Sequence, residues 1–212
     1  IGMLLRHDAF AKTFLAVFTA RAAMEKDLAA AFVDSRRWTS FMLGAARDGE
    51  PEGALRVAAT QWAANLECTP FSVHTQWYTL DLSVVSPPYD DARDYWATRT
   101  VLALEHENAD DVETEMWKLA HWRADFSVLV FYDFAERDAD DCIYSGDRGL
   151  GAIARRDWLA AKLASLTEIV TRIDLEGAKR HLLLIGRRDR DGAVGWRFSE
   201  WRDGRFCAPI SL

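Results

Sequence analysis

The chain has 212 residues, half of them apolar, with nine tryptophans and eleven phenylalanines, enough to bury one sizeable core and too much to remain disordered. Its formal net charge of −7 excludes a surface given over to coating nucleic acid, since that binding is carried by Lys and Arg neutralising phosphates, but it leaves room for a local groove. Cys68, Cys142 and Cys207 stand far apart without a CxxC spacing, which excludes a disulfide scaffold and is the expectation for a reduced, cytoplasmic chain.

The expected organisation is a single domain over 1–212: helices over 1–68, a core over 70–132, and a helix plus β-hairpin over 150–212. Asp8 is placed to cap a long amphipathic helix in which Phe10, Phe14, Val17, Met24, Leu28 and Ala31 recur at helical steps. Its near-heptad spacing is one that a homodimer could use. The apolar run from Thr13 to Ala20 is too short to span a bilayer, so no membrane contact is expected. Asp34-Ser35 breaks the pattern, Trp38 to Ala46 predicts a second helix, and Ala54 to Asn65 predicts a third behind Pro51.

From Val73 the period changes to two. One strand to Val85 would place Tyr78, Leu80, Leu82 and Val84 on one face, and Trp77, Thr79, Asp81 and Ser83 on the other. Ser86 to Asp94, with Pro87-Pro88, predicts a loop. Val101 to Asn108 predicts a second strand. A helix with Val112, Met116, Leu119 and Trp122 along its buried stripe follows, capped by Asp110 or Asp111, with Glu115 beside that stripe and Lys118 near its edge. The uniformly apolar Phe126 to Tyr132 predicts a strand covered on both faces and parallel to the second. Asp133 to Gly151 reads as a loop, and Ile153 to Leu175 as a long helix ended by Gly177. His181 to Ile185 and Ala193 to Glu200 read as a hairpin, and Arg205 to Ile210 as a short edge strand.

Within Val101-Leu102-Ala103-Leu104-Glu105-His106-Glu107-Asn108, alternation places Glu105 and Glu107 on one face and His106 on the other. Like charges about 4 Å apart repel by roughly 4 kcal/mol at an effective dielectric near 20, so a buried acid pair calls for a proton or a cation. If the strand bearing Asp81 is a neighbour, one sheet face collects Asp81, Glu105 and Glu107, hard oxygen donors that suit Mg²⁺ or Mn²⁺. His74 and His121 show no pairing of the kind zinc uses, and His106 reads as a packed histidine.

The order of strand with Asp81, strand with Glu105-His106-Glu107, helix and buried strand resembles the PD-(D/E)xK, or restriction-endonuclease-like, nuclease superfamily over roughly residues 70 to 132. The resemblance implies an α/β (α+β) fold, a central mixed sheet flanked by helices, with Asp81 and Glu105 as metal ligands. The superfamily lysine two residues beyond the Glu is replaced here by Glu107, an acidic variant also found in bacterial proteins of the superfamily. Glu107 would then act on the attacking water, and Lys118 is the candidate for a migrated lysine. The function so implied is Mg²⁺- or Mn²⁺-dependent hydrolysis of phosphodiesters in DNA or RNA. The alternative is a catalytically degenerate chain on the same scaffold that binds a protein or a nucleic acid.

Overall fold

The computed structural model describes residues 7–44, 52–66, 70–77, 79–87, 99–108, 111–134, 142–144, 151–173, 180–188 and 194–211. The elements in chain order begin with α1 (His7–Ala22), α2 (Leu28–Val33), α3 (Ser35–Leu43) and α4 (Ala54–Ala64). The strands β1 (Ser72–Trp77), β2 (Leu80–Ser86) and β3 (Arg99–His106) follow, then α5 (Val112–His121) and β4 (Ala124–Asp133). The remainder is β5 (Cys142–Tyr144), β6 (Ala152–Ala154), α6 (Arg155–Ile173), β7 (Arg180–Arg188), β8 (Val194–Arg202), β9 (Arg205–Phe206) and β10 (Ile210–Ser211).

Among the described residues, eight strands form one mixed sheet in the order β1-β2-β3-β4-β7-β8-β10, with β9 added to β8. Its centre is parallel, β3 beside β4 and β4 beside β7, and the remaining pairings are antiparallel. Helices cover both faces. Phe10 and Phe14 of α1, Trp38 of α3 and Trp62 of α4 pack with Leu102, Leu104, Val128 and Leu184 on one side. On the other, Val112, Met116 and Leu119 of α5 and Leu166 and Val170 of α6 pack with Ala103, Leu129 and Leu183. The chain is therefore a mixed α/β protein in which β4 and β7 present apolar residues to both helical layers, as buried parallel strands do.

Four predicted features differ from the structure. The single leading helix is two: α1 ends at Ala22, Met24 is 75% exposed, and the Asp27 side chain accepts from Ala30 N–H (3.2 Å) to begin α2. Glu25, Lys26 and Asp27 thus belong to a break, because an aspartate that can cap a new helix competes with continuing the old one. The stripe of α1 that suggested a dimer, Phe10, Phe14 and Val17, is buried within the chain. The predicted strand from Val73 to Val85 is a hairpin, with Trp77 paired to Leu80 across the turn. Leu80, the first residue of β2, packs on the α5–α6 side while Leu82 and Val84 face the α1–α4 side, so the four residues predicted for one face do not share it.

The loop predicted from Asp133 to Gly151 contains a β5–β6 pair. Pro51, Tyr78, Pro88 to Ala97 and Gly177 lie outside the described residues. Elsewhere the predicted elements stand in type and order, but Asp8 lies inside α1, Arg205 to Ile210 divides into β9 and β10, and α3 begins at Ser35, where Asp34 caps it through Arg36 N–H (3.0 Å) and Arg37 N–H (3.1 Å). Gly53 opens α4 against the end of α3, where a Cβ would lie 2.1 Å from the Leu43 carbonyl carbon. No described helix is long and apolar enough to cross a membrane.

Candidate functional site

The site is built at the end of β3. Leu82 stands opposite Leu104 and Ser83 opposite Ala103, so one residue further along this antiparallel register Asp81 faces Glu105. The strands bearing the two acids are neighbours. Asp81 is half-buried, and its Oδ2 accepts from the backbone N–H of His106 at 2.8 Å. Glu105 is only 1% exposed and shares the sheet face of Ala103. Helix α5, which connects the parallel strands β3 and β4, crosses that face and brings Lys118 Nζ to 3.0 Å from Glu105 Oε1. Lys118 also pairs with Glu115 one turn back on α5 and donates to the carbonyl of Thr79 in the β1–β2 turn (3.4 Å).

Glu105 and Glu115 therefore share the ammonium of Lys118, and Asp81 acts on Glu105 from the next strand. Burial pushes Glu105 up to about 8, the charge of Asp81 adds to that, and Lys118 only partly opposes it, with Glu115 adding a smaller push. Burial alone would lower Lys118, yet its contacts with Glu115 and Glu105 outweigh that and hold it above its ordinary value. The cluster holds more negative charge than its one cation neutralises.

The donor set fits a hard divalent ion. Glu105 Oε1 is buried and, apart from its ion pair, has no hydrogen-bond partner among the described residues. Asp81, on the adjacent strand, is the neighbouring carboxylate that could supply a second oxygen. Among the described residues no three His, Cys, Asp or Glu side chains already form a metal-binding group. Two carboxylates with water completing the shell is a mode that Mg²⁺ commonly uses.

Of the other residues singled out in the sequence, Glu107 follows directly on β3. Its N–H donates to Val130 O (2.8 Å), extending the parallel ladder, and its side chain is half-buried. His106 faces away from the acids, as alternation requires. Trp38 Nε1–H donates to the Tyr132 hydroxyl (2.5 Å), which is hydrogen-bonded in turn to His106 Nε2 (2.6 Å). Burial drives His106 down to about 3, so it is a neutral structural residue. Beyond Tyr132 lies a pocket of about 240 Å³ lined by Phe32, Trp38, Asn108, Asp133 and Phe134. His74 stacks on Trp77 and meets Ser72 Oγ (2.7 Å), while His121 Nδ1–H donates to Trp117 O (2.9 Å).

Sequence reasoning left two partners unassigned. Glu115 was readable only as a neighbour of the buried stripe, although Glu115-x-x-Lys118 is an i,i+3 pair on a helix. Glu113 is buried and bonded to Lys162 of α6 at 2.6 Å, a contact between helices far apart in the chain that no local pattern signals. No protein-family model, curated protein or solved structure matches the chain.

Proposed function

We propose that the chain is a divalent-metal-dependent phosphodiester hydrolase on a restriction-endonuclease-like fold, acting on DNA or RNA. The observation that carries this reading is a buried Glu105 at the end of a central strand, opposite Asp81 and 3.0 Å from the ammonium of Lys118. Asp81 and Glu105 are the groups that would hold Mg²⁺ or Mn²⁺. Such an ion, when bound, polarises a phosphoryl oxygen and acidifies a water.

The chain's own residues supply the rest. Among the described residues Lys118 is the single cation paired with the acids, held protonated by Glu105 and Glu115, and it can steady the negative charge that gathers on a phosphate as its ester bond breaks. Glu107, directly after β3, would take the proton of an attacking water. The helix that carries Lys118 is anchored by Met116, Leu119 and Ala120 in the core, so the ammonium is presented from a rigid element.

The test is cleavage of end-labelled DNA and RNA, single- and double-stranded, with Mg²⁺ or Mn²⁺. Wild type is expected to cut, Asp81→Asn and Glu105→Gln to lose cutting, and Lys118→Met to slow it by roughly 10²- to 10⁴-fold, the range for a positioned proton-transfer or charge-stabilising group. No cutting of any substrate by folded wild type would leave the second reading, a non-catalytic binding protein on the same scaffold.

A further inference from the structure

The sheet face that carries Glu105 holds a second charged group at the ends of β4 and β7. Phe131 and Ile185 pack in the core beneath α5 and α6, so Asp133 and Arg187, two residues further along their strands, lie on that face as well. The two are register partners across the parallel pair, with backbones about 5 Å apart. Arg197 of β8 stands opposite Ile185 and shares the face. Its side chain crosses β7, and Nη2–H donates to Asp133 Oδ2 at 2.5 Å. The other carboxylate oxygen, Oδ1, accepts from Phe134 N–H (2.8 Å). Arg155, the first residue of α6, lies over the Phe134 ring, 4.7 Å from its centroid.

Three guanidiniums thus meet one carboxylate and its neighbouring ring, a local excess of positive charge in an acidic chain. Asp133 is ion-paired with Arg197. Arg187, although opposite Asp133, makes no ion pair among the described residues, and the Nε atoms of both Arg187 and Arg197 are buried without a hydrogen-bond partner. A buried donor that lacks an acceptor is costly and rare, so two on adjacent strands point to an anion that accepts from both. Gly195, the partner of Arg187 on β8, adds no side chain beside it.

We propose that Arg187 and Arg197 form a seat for a phosphate group, free or carried on a small organic ester. Two guanidiniums from adjacent strands offer N–H groups from two directions. A tetrahedral phosphate has oxygens enough to accept from both, whereas a carboxylate presents two in one plane. Asp133 holds the Arg197 fork in place before any ligand arrives. The location is the carboxyl end of parallel strands, where open α/β sheets put their ligands. The pocket of about 240 Å³ shares Asp133 with this seat, and Phe32, Trp38 and Phe134 give it aromatic walls for the organic part of an ester. Asp81 and Glu105 take no part, so the assignment stands apart from the hydrolase reading.

The test is isothermal titration of the full chain with inorganic phosphate and with phenyl phosphate, in EDTA and at fixed ionic strength. Both are expected to bind; tighter binding of phenyl phosphate marks an ester as the form the site takes, and equal affinities mark the free ion. Arg187→Met keeps the aliphatic stem and loses the donors. It is expected to weaken both ligands roughly 10- to 150-fold, the range for a hydrogen bond to a charged group. Its melting temperature without phosphate should match wild type, because Arg187 ties no other described residue into the fold. Arg187→Lys should fall between the two, and Glu105→Gln should bind both ligands as wild type does. A wild type that takes up neither ligand at millimolar concentration would overturn the proposal, as would Arg187→Met that binds normally or melts well below wild type. Loss of binding in Glu105→Gln would place the phosphate at the acids instead.

Discussion

Glu105 keeps a proton in the folded chain at pH values where an unfolded carboxyl has lost it, because burial, with the charge of Asp81, pushes it from 4.5 up to about 8. The folded state then binds more protons than the unfolded state between those values. The stability linked to this group is complete below about pH 4.5 and is lost as pH rises to about 8. Glu105→Gln removes the titration. In EDTA, thermal melts of the variant and wild type should nearly coincide at pH 5, and at pH 8.5 the variant should be the more stable, by on the order of a few kcal/mol at ~1.4 kcal/mol per pKa unit. Coincident melts at pH 8.5 would contradict the burial of an incompletely neutralised acid. On the opposite sheet face, Tyr132→Phe strands Trp38 Nε1 and His106 Nε2. Urea denaturation should show a loss of roughly 1–3 kcal/mol for the unsatisfied buried groups. The separation of Glu105 from His106 onto two faces was legible in the sequence, since it follows from a period of two. The reach of Lys118 to Glu105 was suggested only by the family resemblance and not by periodicity, because a lysine at the margin of a buried stripe turns inward only when a partner waits beneath it.

At the scale of elements, helices α5 and α6 are tied by Glu113 and Lys162, both over nine-tenths buried and 2.6 Å apart, with the Lys162 ammonium 5.4 Å from the Trp158 ring centroid. Removing one partner leaves an uncompensated charge. Lys162→Met should therefore destabilise by about 3–5 kcal/mol, whereas Glu113→Leu combined with Lys162→Met should recover most of that loss. A double variant as unstable as the single one would show that packing, and not the pair, holds the helices together. The types and order of the long elements were readable from periodicity: α3 to α6, the parallel β3 and β4, and the β7–β8 hairpin all fall where the pattern puts them. What periodicity missed were interruptions. The break between α1 and α2 carries no Gly or Pro, only a capping Asp27, and the β1–β2 turn bears none of the Asn-Gly or Pro chemistry that marks a hairpin. The β5–β6 pair is three residues long on each side, below what an alternating pattern can register.

At the scale of the whole molecule, the parallel centre of the sheet separates two environments. One face carries an aromatic core under α1–α4, with Trp38, Tyr132 and His106 hydrogen-bonded together. The other carries the acids of β2 and β3 under α5. The neighbouring of Asp81 and Glu105, an expectation from element order, is what the register between β2 and β3 provides. It gives the proposed hydrolase its test. Thermal melting should be followed for wild type and Asp81→Asn, in EDTA and in millimolar Mn²⁺; asparagine keeps a carbonyl oxygen to accept from His106 N–H. An ion that binds only the native state raises the melting temperature. Wild type should melt higher in Mn²⁺ than in EDTA and the variant should not respond; superimposable wild-type curves in the two conditions would contradict a metal site at Asp81 and Glu105.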